Sequence, residues 1–193
     1  MRHKAPQTTP PSENISTVRD EPEAYTGVAR WLHWIMAVFI LTTMFIGFGL
    51  DEADPVEVAP TLSRHANFGV LTLSFAVLRL FWRLAFPPPR PHAASRLHRL
   101  VIEVVHLALY ALMILVPVTG ILAAIAHDLP TGLFWAIDLR ETFSFLDRNG
   151  YETRAALHAF LVHMLQALLV LHITGALTHQ YYLRDNIMRR MKV

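Results

Sequence analysis

The 193-residue chain contains no cysteine and few charged residues. Without a thiol it cannot form a disulfide, use a cysteine nucleophile, ligate an iron–sulfur cluster through cysteine or attach a c-type haem covalently. Only 17% of its residues are charged, against about a quarter in typical globular proteins, so a water-soluble domain is disfavoured. The net charge of +2 gives no support for a uniformly basic surface. No nucleic-acid partner is therefore expected.

The hydrophobic residues, which make up 53% of the chain, fall into four long blocks. A transmembrane helix needs about 20 predominantly apolar residues, and each block is close to that length. We predict an all-α fold, a four-helix transmembrane bundle that uses the lipid bilayer as its solvent. Its domain covers 25–193, and its spans occupy about 28–50, 62–82, 100–126 and 155–177.

The first 24 residues differ from the rest because they are rich in proline, serine, threonine and charge. Such a composition cannot bury enough apolar surface to order itself, so 1–24 is predicted to be a disordered tail. It also lacks the apolar stretch of a cleavable secretory signal peptide.

Arginine is distributed unevenly among the connections between the spans. The connection between spans 2 and 3 carries four arginines and no acid, whereas the connection between spans 1 and 2 carries four acids. Since the connections rich in lysine and arginine face the cytoplasm, the second connection is predicted to be cytoplasmic. With four spans, both the N-terminus and the C-terminus are then cytoplasmic, and so is the tail.

Six of the eleven histidines lie within the spans, where ionisable residues are costly and are functional candidates by default. They are His33, His65, His106, His158, His163 and His172. His33 and His172 lie at equal depth, about 12 Å from the cytoplasmic ends of their helices, and we call them the first pair. His65 and His158 both lie near the opposite surface, and we call them the second pair.

The fourth span contributes one histidine to each pair. His158 and His172 are 14 residues apart, about 40° short of four full turns, so they share one face at an axial separation of about 21 Å. Two such pairs, each bridging facing helices, suit two b-type haems held without covalent attachment. Zinc fits less well, because four histidines at two depths cannot make one tetrahedral site. A proton relay stays open, although carboxylates are nearly absent from the spans.

Two further span histidines have less certain roles. His106 is predicted at about the depth of the first pair and could replace His33 or His172 as a ligand. We favour a place beside a haem propionate or a quinone head group. His163 lies about 140° around the fourth helix from His158, so it is expected to face lipid or to be packed.

Several segments together resemble the bacterial di-haem cytochrome b561 family, which includes the superoxide oxidases. They are a tyrosine eight residues before a His–Trp pair (Tyr25, His33, Trp34), His65 at the start of span 2, the run from His106 to Gly120, and His158 with His172 fourteen residues later. The resemblance extends from Tyr25 nearly to the C-terminus. It implies that the two pairs are the axial ligands of two haem b groups. It also implies electron exchange with ubiquinone, and in the superoxide oxidases the oxidation of superoxide at the outer face.

The chain is accordingly expected to be a multi-pass oxidoreductase of the bacterial inner (plasma) membrane, transferring electrons from superoxide to ubiquinone. Arg64 and Arg154, close in sequence to the second pair, would attract superoxide or hold haem propionates. Arg79 and Arg83 would anchor the haem of the first pair, or simply follow the positive-inside rule. His179, nearly two turns beyond the last span histidine, is a candidate contact for quinone or a propionate.

Two alternatives remain at this point. The chain could be a non-enzymatic cytochrome b subunit that passes electrons between a partner dehydrogenase or hydrogenase and quinone. Its compact length favours a protein that acts alone, with superoxide or a redox protein as donor. A haem-free structural or transport bundle is the other alternative.

Overall fold

In a computed structural model of the chain, the described residues are 24–51, 54–87, 89, 95–126, 132–133, 137–138 and 150–192. They include four long helices, α1 (Gly27–Asp51), α2 (Pro55–Ala85), α3 (Arg96–Ala126) and α4 (Tyr151–Leu177). Two two-residue strands between α3 and α4, β1 (Gly132–Leu133) and β2 (Ile137–Asp138), pair antiparallel. Each helix is long and apolar enough to cross a membrane, which confirms the predicted four-helix bundle. Residues 1–23 of the predicted tail lie outside the described residues.

Each predicted span falls inside a helix, but α2, α3 and α4 each begin at least four residues before the span. α2 begins at Pro55 rather than near residue 62, because the fixed φ and missing N–H of proline suit the first helical position. α3 begins at Arg96 rather than near residue 100. There the Ser95 hydroxyl accepts a hydrogen bond from the backbone N–H of His98 at 3.1 Å, as an N-cap side chain does. The first turn of α3 carries two arginines and a histidine, so hydropathy did not mark it as part of the span.

The chain does not stop when α4 ends. It continues as a π-helical turn (Thr178–Tyr182) and then a 3-10 helix (Ile187–Met191). We call residues 178–192 the C-terminal strap. The strap returns to α1, where the Trp34 indole N–H donates to the carbonyl of Met191 at 2.9 Å and Arg30 donates to the carbonyl of Lys192. The end of the chain is thereby tied to the start of the bundle.

Helix packing leaves a thin core and a broad apolar exterior. α1 packs on α2, α3 packs on α4, and α2 packs against α3. The buried cluster at the centre consists of Met36, Ile40, Ala76, Leu109, Leu112, Met113 and Leu165. Large side chains on the outside are strongly exposed, with Phe45 at 78%, Leu107 at 70% and Val170 at 65%. So large an apolar surface is unfavourable in water and matches lipid.

Candidate functional site

The structure brings four of the six span histidines together in the two predicted pairs. His33 on α1 faces His172 on α4, with 6.3 Å between the ring centroids. His65 on α2 faces His158 on α4, with 6.2 Å between the centroids. All four imidazoles are partly buried.

These spacings fit one metal ion between two imidazoles. A metal–imidazole nitrogen bond is about 2.0–2.1 Å long, and the nitrogen lies about 1.1 Å from the ring centre. Two imidazoles on opposite sides of one iron therefore have centroids about 6.3 Å apart. Both pairs match this distance, so the residues present fit two haem groups with bis-histidine ligation.

Hydrogen bonds orient the imidazoles of the second pair. His65 Nδ1 lies 3.1 Å from the carbonyl oxygen of Thr43 on α1, and His158 Nδ1 lies 3.0 Å from the carbonyl oxygen of Val116 on α3. Because a carbonyl oxygen only accepts, each Nδ1 carries the hydrogen and each Nε2 keeps a lone pair. Such a bond on the far nitrogen is how proteins orient metal-binding histidines.

Two glycines that the sequence analysis did not single out lie against these same rings. A Cβ built on Gly47 would be 3.0 Å from Cε1 of His65, and one built on Gly120 would be 3.0 Å from Cε1 of His158. Each glycine comes four residues after the residue whose carbonyl accepts the imidazole hydrogen bond, Thr43 or Val116, and so lies on the same face of the same helix. The sequence signal was a glycine inside an apolar helix, which alone does not identify the ring it contacts.

A third histidine lies beside the first pair. The His106 and His172 rings have centroids 5.4 Å apart, which is shorter than the spacing that suits two ligands on opposite sides of one iron. His106 Nδ1 is 2.7 Å from the carbonyl of Ile102 in its own helix. The geometry supports a neighbouring role for His106 rather than a ligand role.

The two arginines predicted near the first pair lie together at its end of the bundle. Arg79 donates to the carbonyl of Ala29 at 3.0 Å. The Arg79 and Arg83 guanidinium carbons lie 5.9 and 5.3 Å from the ring centre of Tyr110. Both arginines line a recess whose other walls are Tyr25, Ala29, Trp82, Phe86 and Tyr110. Two cations among aromatic walls make this recess suitable for a carboxylate such as a haem propionate.

The arginines predicted near the second pair lie at the opposite end. Arg64 donates to the Thr61 hydroxyl at 2.9 Å, and its guanidinium is 3.8 Å from the Glu57 carboxylate. Arg154 reaches the carbonyl of Leu122 at 3.5 Å. Both arginines stay within about one turn of a histidine of the second pair.

His179 lies in the C-terminal strap, beyond the end of α4. Its Nδ1 is 2.5 Å from a carboxylate oxygen of Asp185, and its ring stacks on His98 with centroids 5.2 Å apart and planes 17° apart. Of these three residues, only His179 was predicted from the sequence, by its helical spacing from His172. No such spacing relates Asp185 or His98 to the span histidines, and both were missed.

Comparison with known proteins gives this arrangement a family. A family model described as prokaryotic cytochrome b561 matches residues 24–192. "Cytochrome b561 homolog 2" of Escherichia coli (strain K12) is 29% identical over 175 residues, which cover 88% of this chain and 92% of the relative. "Probable superoxide oxidase CybB" of Yersinia pestis is 26% identical over 172 residues, which cover 86% and 94%. The chain therefore belongs to the prokaryotic cytochrome b561 family, and it is a haem b electron-transfer protein of a bacterial membrane.

Proposed function

We propose that the protein is a superoxide:ubiquinone oxidoreductase of the bacterial inner membrane. Two superoxide anions each lose one electron at the outer face and become dioxygen. Ubiquinone gains these two electrons and two protons at the cytoplasmic face and becomes ubiquinol. Two haem b groups, one held by His33 and His172 and the other by His65 and His158, supply one-electron chemistry at two depths when bound.

The observation that carries this proposal is the position of the two pairs. Their centroid spacings of 6.3 and 6.2 Å suit one iron each, and the α4 histidines share a face about 21 Å apart. The buried apolar cluster around Leu165 lies between the two levels. That cluster excludes water from the interior, so electrons can cross while protons do not.

The charge distribution supports a cytoplasmic position for the first pair. Residues 83–99, between predicted spans 2 and 3, carry four arginines without an acid, and the C-terminal strap is also rich in basic residues. By the positive-inside rule both lie on the cytoplasmic side. The first pair lies toward this end of the bundle, and the second pair lies toward the outer end.

Superoxide as donor is supported by arginines near the second pair and by one relative. An anion is drawn to local positive charge, which Arg64 and Arg154 provide, although Glu57 offsets part of the field of Arg64. The Yersinia pestis relative is named a probable superoxide oxidase. A bis-histidine iron has no open position, so superoxide would give up an electron without becoming a ligand.

Some residues at the cytoplasmic end are suited to bind the haem cofactor, and others are suited to bind quinone. Arg79 and Arg83 in the recess beside Tyr110 are suited to the haem propionates. His106 lies next to His172, at the same depth in the bundle as the first pair. His179, at the membrane surface in the C-terminal strap, is suited to donate to a quinone carbonyl.

Stopped-flow mixing of the oxidised protein with superoxide tests the proposal. Haem reduction should be fast and should slow at high salt, because screening weakens the attraction between the anion and arginine. His158→Ala should lose one haem and the fast reduction. His163→Ala is the matched control on α4, since His163 is exposed and bonds only to its own helix at Ala159. It should keep both haems and the rate.

Two results would count against the proposal. Slow reduction by superoxide in protein with both haems would indicate another electron donor. A flavin or metal-centre protein that co-purifies stoichiometrically in mild detergent would favour a cytochrome b subunit serving a dehydrogenase or hydrogenase.

A further inference from the structure

The C-terminal strap reverses direction around one acidic residue. Arg184 and Asn186 both have φ of 55°, a left-handed conformation that residues other than glycine rarely adopt. Asp185 lies between them. Two left-handed residues on either side of one carboxylate turn that carboxylate back toward the end of α4, where His179 lies.

Backbone and side-chain hydrogen bonds hold the reversal in place. The Asp185 N–H donates to the carbonyl of His179 at 3.2 Å, and the Leu183 N–H donates to the carbonyl of Thr178 at 3.0 Å. The Gln180 amide spans the turn, donating to the Asn186 side chain at 3.4 Å and accepting from the Met188 N–H at 3.4 Å. The carboxylate of Asp185 is therefore held in position before any ligand binds.

The far end of the strap is tied to α1 next to the first pair. Trp34 donates to the Met191 carbonyl, and its ring lies 5.4 Å from that of His33. Arg30, one turn earlier, donates to the Lys192 carbonyl. The strap thus joins the α1 residues around His33 to the α4 residues beyond His172.

The contact between Asp185 and His179 has the form of a carboxylate–imidazole dyad. Nδ1 of His179 is 2.5 Å from the carboxylate, and the side chains are 14% and 28% exposed. A carboxylate in this position fixes the tautomer and the orientation of the imidazole. Nε2 is then the nitrogen that can exchange a proton with a ligand. His98 from α3 stacks on the ring, so His98 and Asp185 are charged or titratable groups that face His179 from two different elements.

We propose that Asp185 is a positioning residue that makes His179 the proton donor for quinone reduction. The inference rests on the proposed function, because it requires quinone to be reduced at this end of the bundle. Protonated His179 passes its Nε2 proton to a reduced quinone oxygen and becomes neutral, while Asp185 keeps its hydrogen bond to Nδ1. His179 is reprotonated from the cytoplasm. Two electrons and two protons, passed one at a time, convert one quinone into one quinol.

The test compares Asp185→Asn with Asp185→Glu. Asparagine has nearly the shape of aspartate but no charge, whereas glutamate keeps the carboxylate. Both variants should bind two haems and be reduced by superoxide at the unchanged rate. With a short-chain ubiquinone analogue, Asp185→Asn should show a kcat lower by about tenfold or more with a KM within about twofold, and a larger solvent deuterium isotope effect. Asp185→Glu should recover most of the lost rate.

A double variant separates the proton pathway from a general loss of structure. His179→Gln should slow quinone reduction at least as much as Asp185→Asn, and adding Asp185→Asn to it should cause no further loss, because both act through one imidazole. Additive losses would overturn the inference. So would an unchanged kcat in Asp185→Asn, loss of the first haem in that variant, or failure of Asp185→Glu to restore activity.

Failure of the proposed function would look different. In that case the unchanged protein would be reduced by superoxide or dithionite and would still not reduce the quinone analogue. That result would overturn both the function and the inference. A protein that reduces quinone normally with either asparagine or aspartate at position 185 would overturn the inference alone.

Discussion

Each histidine of the second pair contacts a backbone carbonyl and a glycine that are four residues apart on a neighbouring helix. His65 hydrogen-bonds to the Thr43 carbonyl and lies against Gly47 of α1, and His158 hydrogen-bonds to the Val116 carbonyl and lies against Gly120 of α3. The carbonyl selects the tautomer, and the glycine lets the helix approach the ring. The orientation of both imidazoles therefore depends on residues of neighbouring helices.

Gly120→Ala should weaken the haem of the second pair. The added Cβ would lie 3.0 Å from Cε1 of His158, which is too close without displacement of the ring. We expect haem affinity at this level to fall about tenfold or more, as for other changes around metal-binding histidines. A pyridine haemochrome assay on purified protein should show a haem content moving from two per chain toward one.

Gly49→Ala is the control for this prediction. A Cβ on Gly49 would meet no described atom within 4 Å, so the same chemical change should leave two haems bound. Equal haem loss in the two variants would show that the contact with the ring does not matter.

At the scale of elements, α4 is the helix that joins the two levels. It supplies His158 and His172, and Leu165 lies seven residues from each. Leu165 is only 4% exposed and belongs to the central cluster. α4 is thus anchored in the core midway between His158 and His172, which keeps these two residues aligned with their partners on α2 and α1.

Leu165→Ala should destabilise the bundle more than the loss of an equally apolar residue facing lipid. We expect the free energy of unfolding to fall by about 2 kcal/mol or more, because a cavity remains in the core. This corresponds to a melting temperature lower by about 4–8 °C. The measurement is thermal unfolding in detergent, followed by haem absorbance.

Val170→Ala tests whether burial is the cause. Val170 lies on the same helix but is 65% exposed, so its truncation should change stability by about 0.5 kcal/mol or less. A similar loss in both variants would contradict a core role for Leu165.

At the scale of the whole molecule, charge and apolar surface are arranged for a bilayer. The exterior presents large apolar side chains, and the connections alternate between acidic and basic composition. In the proposed orientation, the first pair lies toward the cytoplasm and the second pair toward the outer face.

Reporter fusions should show both termini in the cytoplasm. Green fluorescent protein fused after Val193 should fluoresce, and alkaline phosphatase fused there should be inactive, because the strap and the connection between α2 and α3 are basic. Alkaline phosphatase fused between α1 and α2 should be active. The reverse pattern would place the second pair on the cytoplasmic side and exclude the proposed superoxide reaction there.

Much of the fold and part of the site could be predicted from the sequence because their signals are local. Long apolar runs predicted the four helices, and the 14-residue spacing of His158 and His172 placed both on one face. Both follow from helical periodicity and from the cost of polar groups in lipid. The motifs around these histidines also predicted the family that the comparison confirms.

Contacts between helices could be read only from the tertiary structure. A carbonyl and a glycine of a neighbouring helix contact each of His65 and His158. His106 approaches His172, and His179 pairs with Asp185. Each of these contacts joins atoms from separate turns or separate helices. The hydrophobic periodicity of one helix does not tell which residues of another helix it will contact. The sequence by itself determined the four spans and the depth of each histidine, because these depend on hydropathy and helical rise. The tertiary structure decided how each imidazole is oriented and where the C-terminal strap returns, because packing between helices sets those contacts.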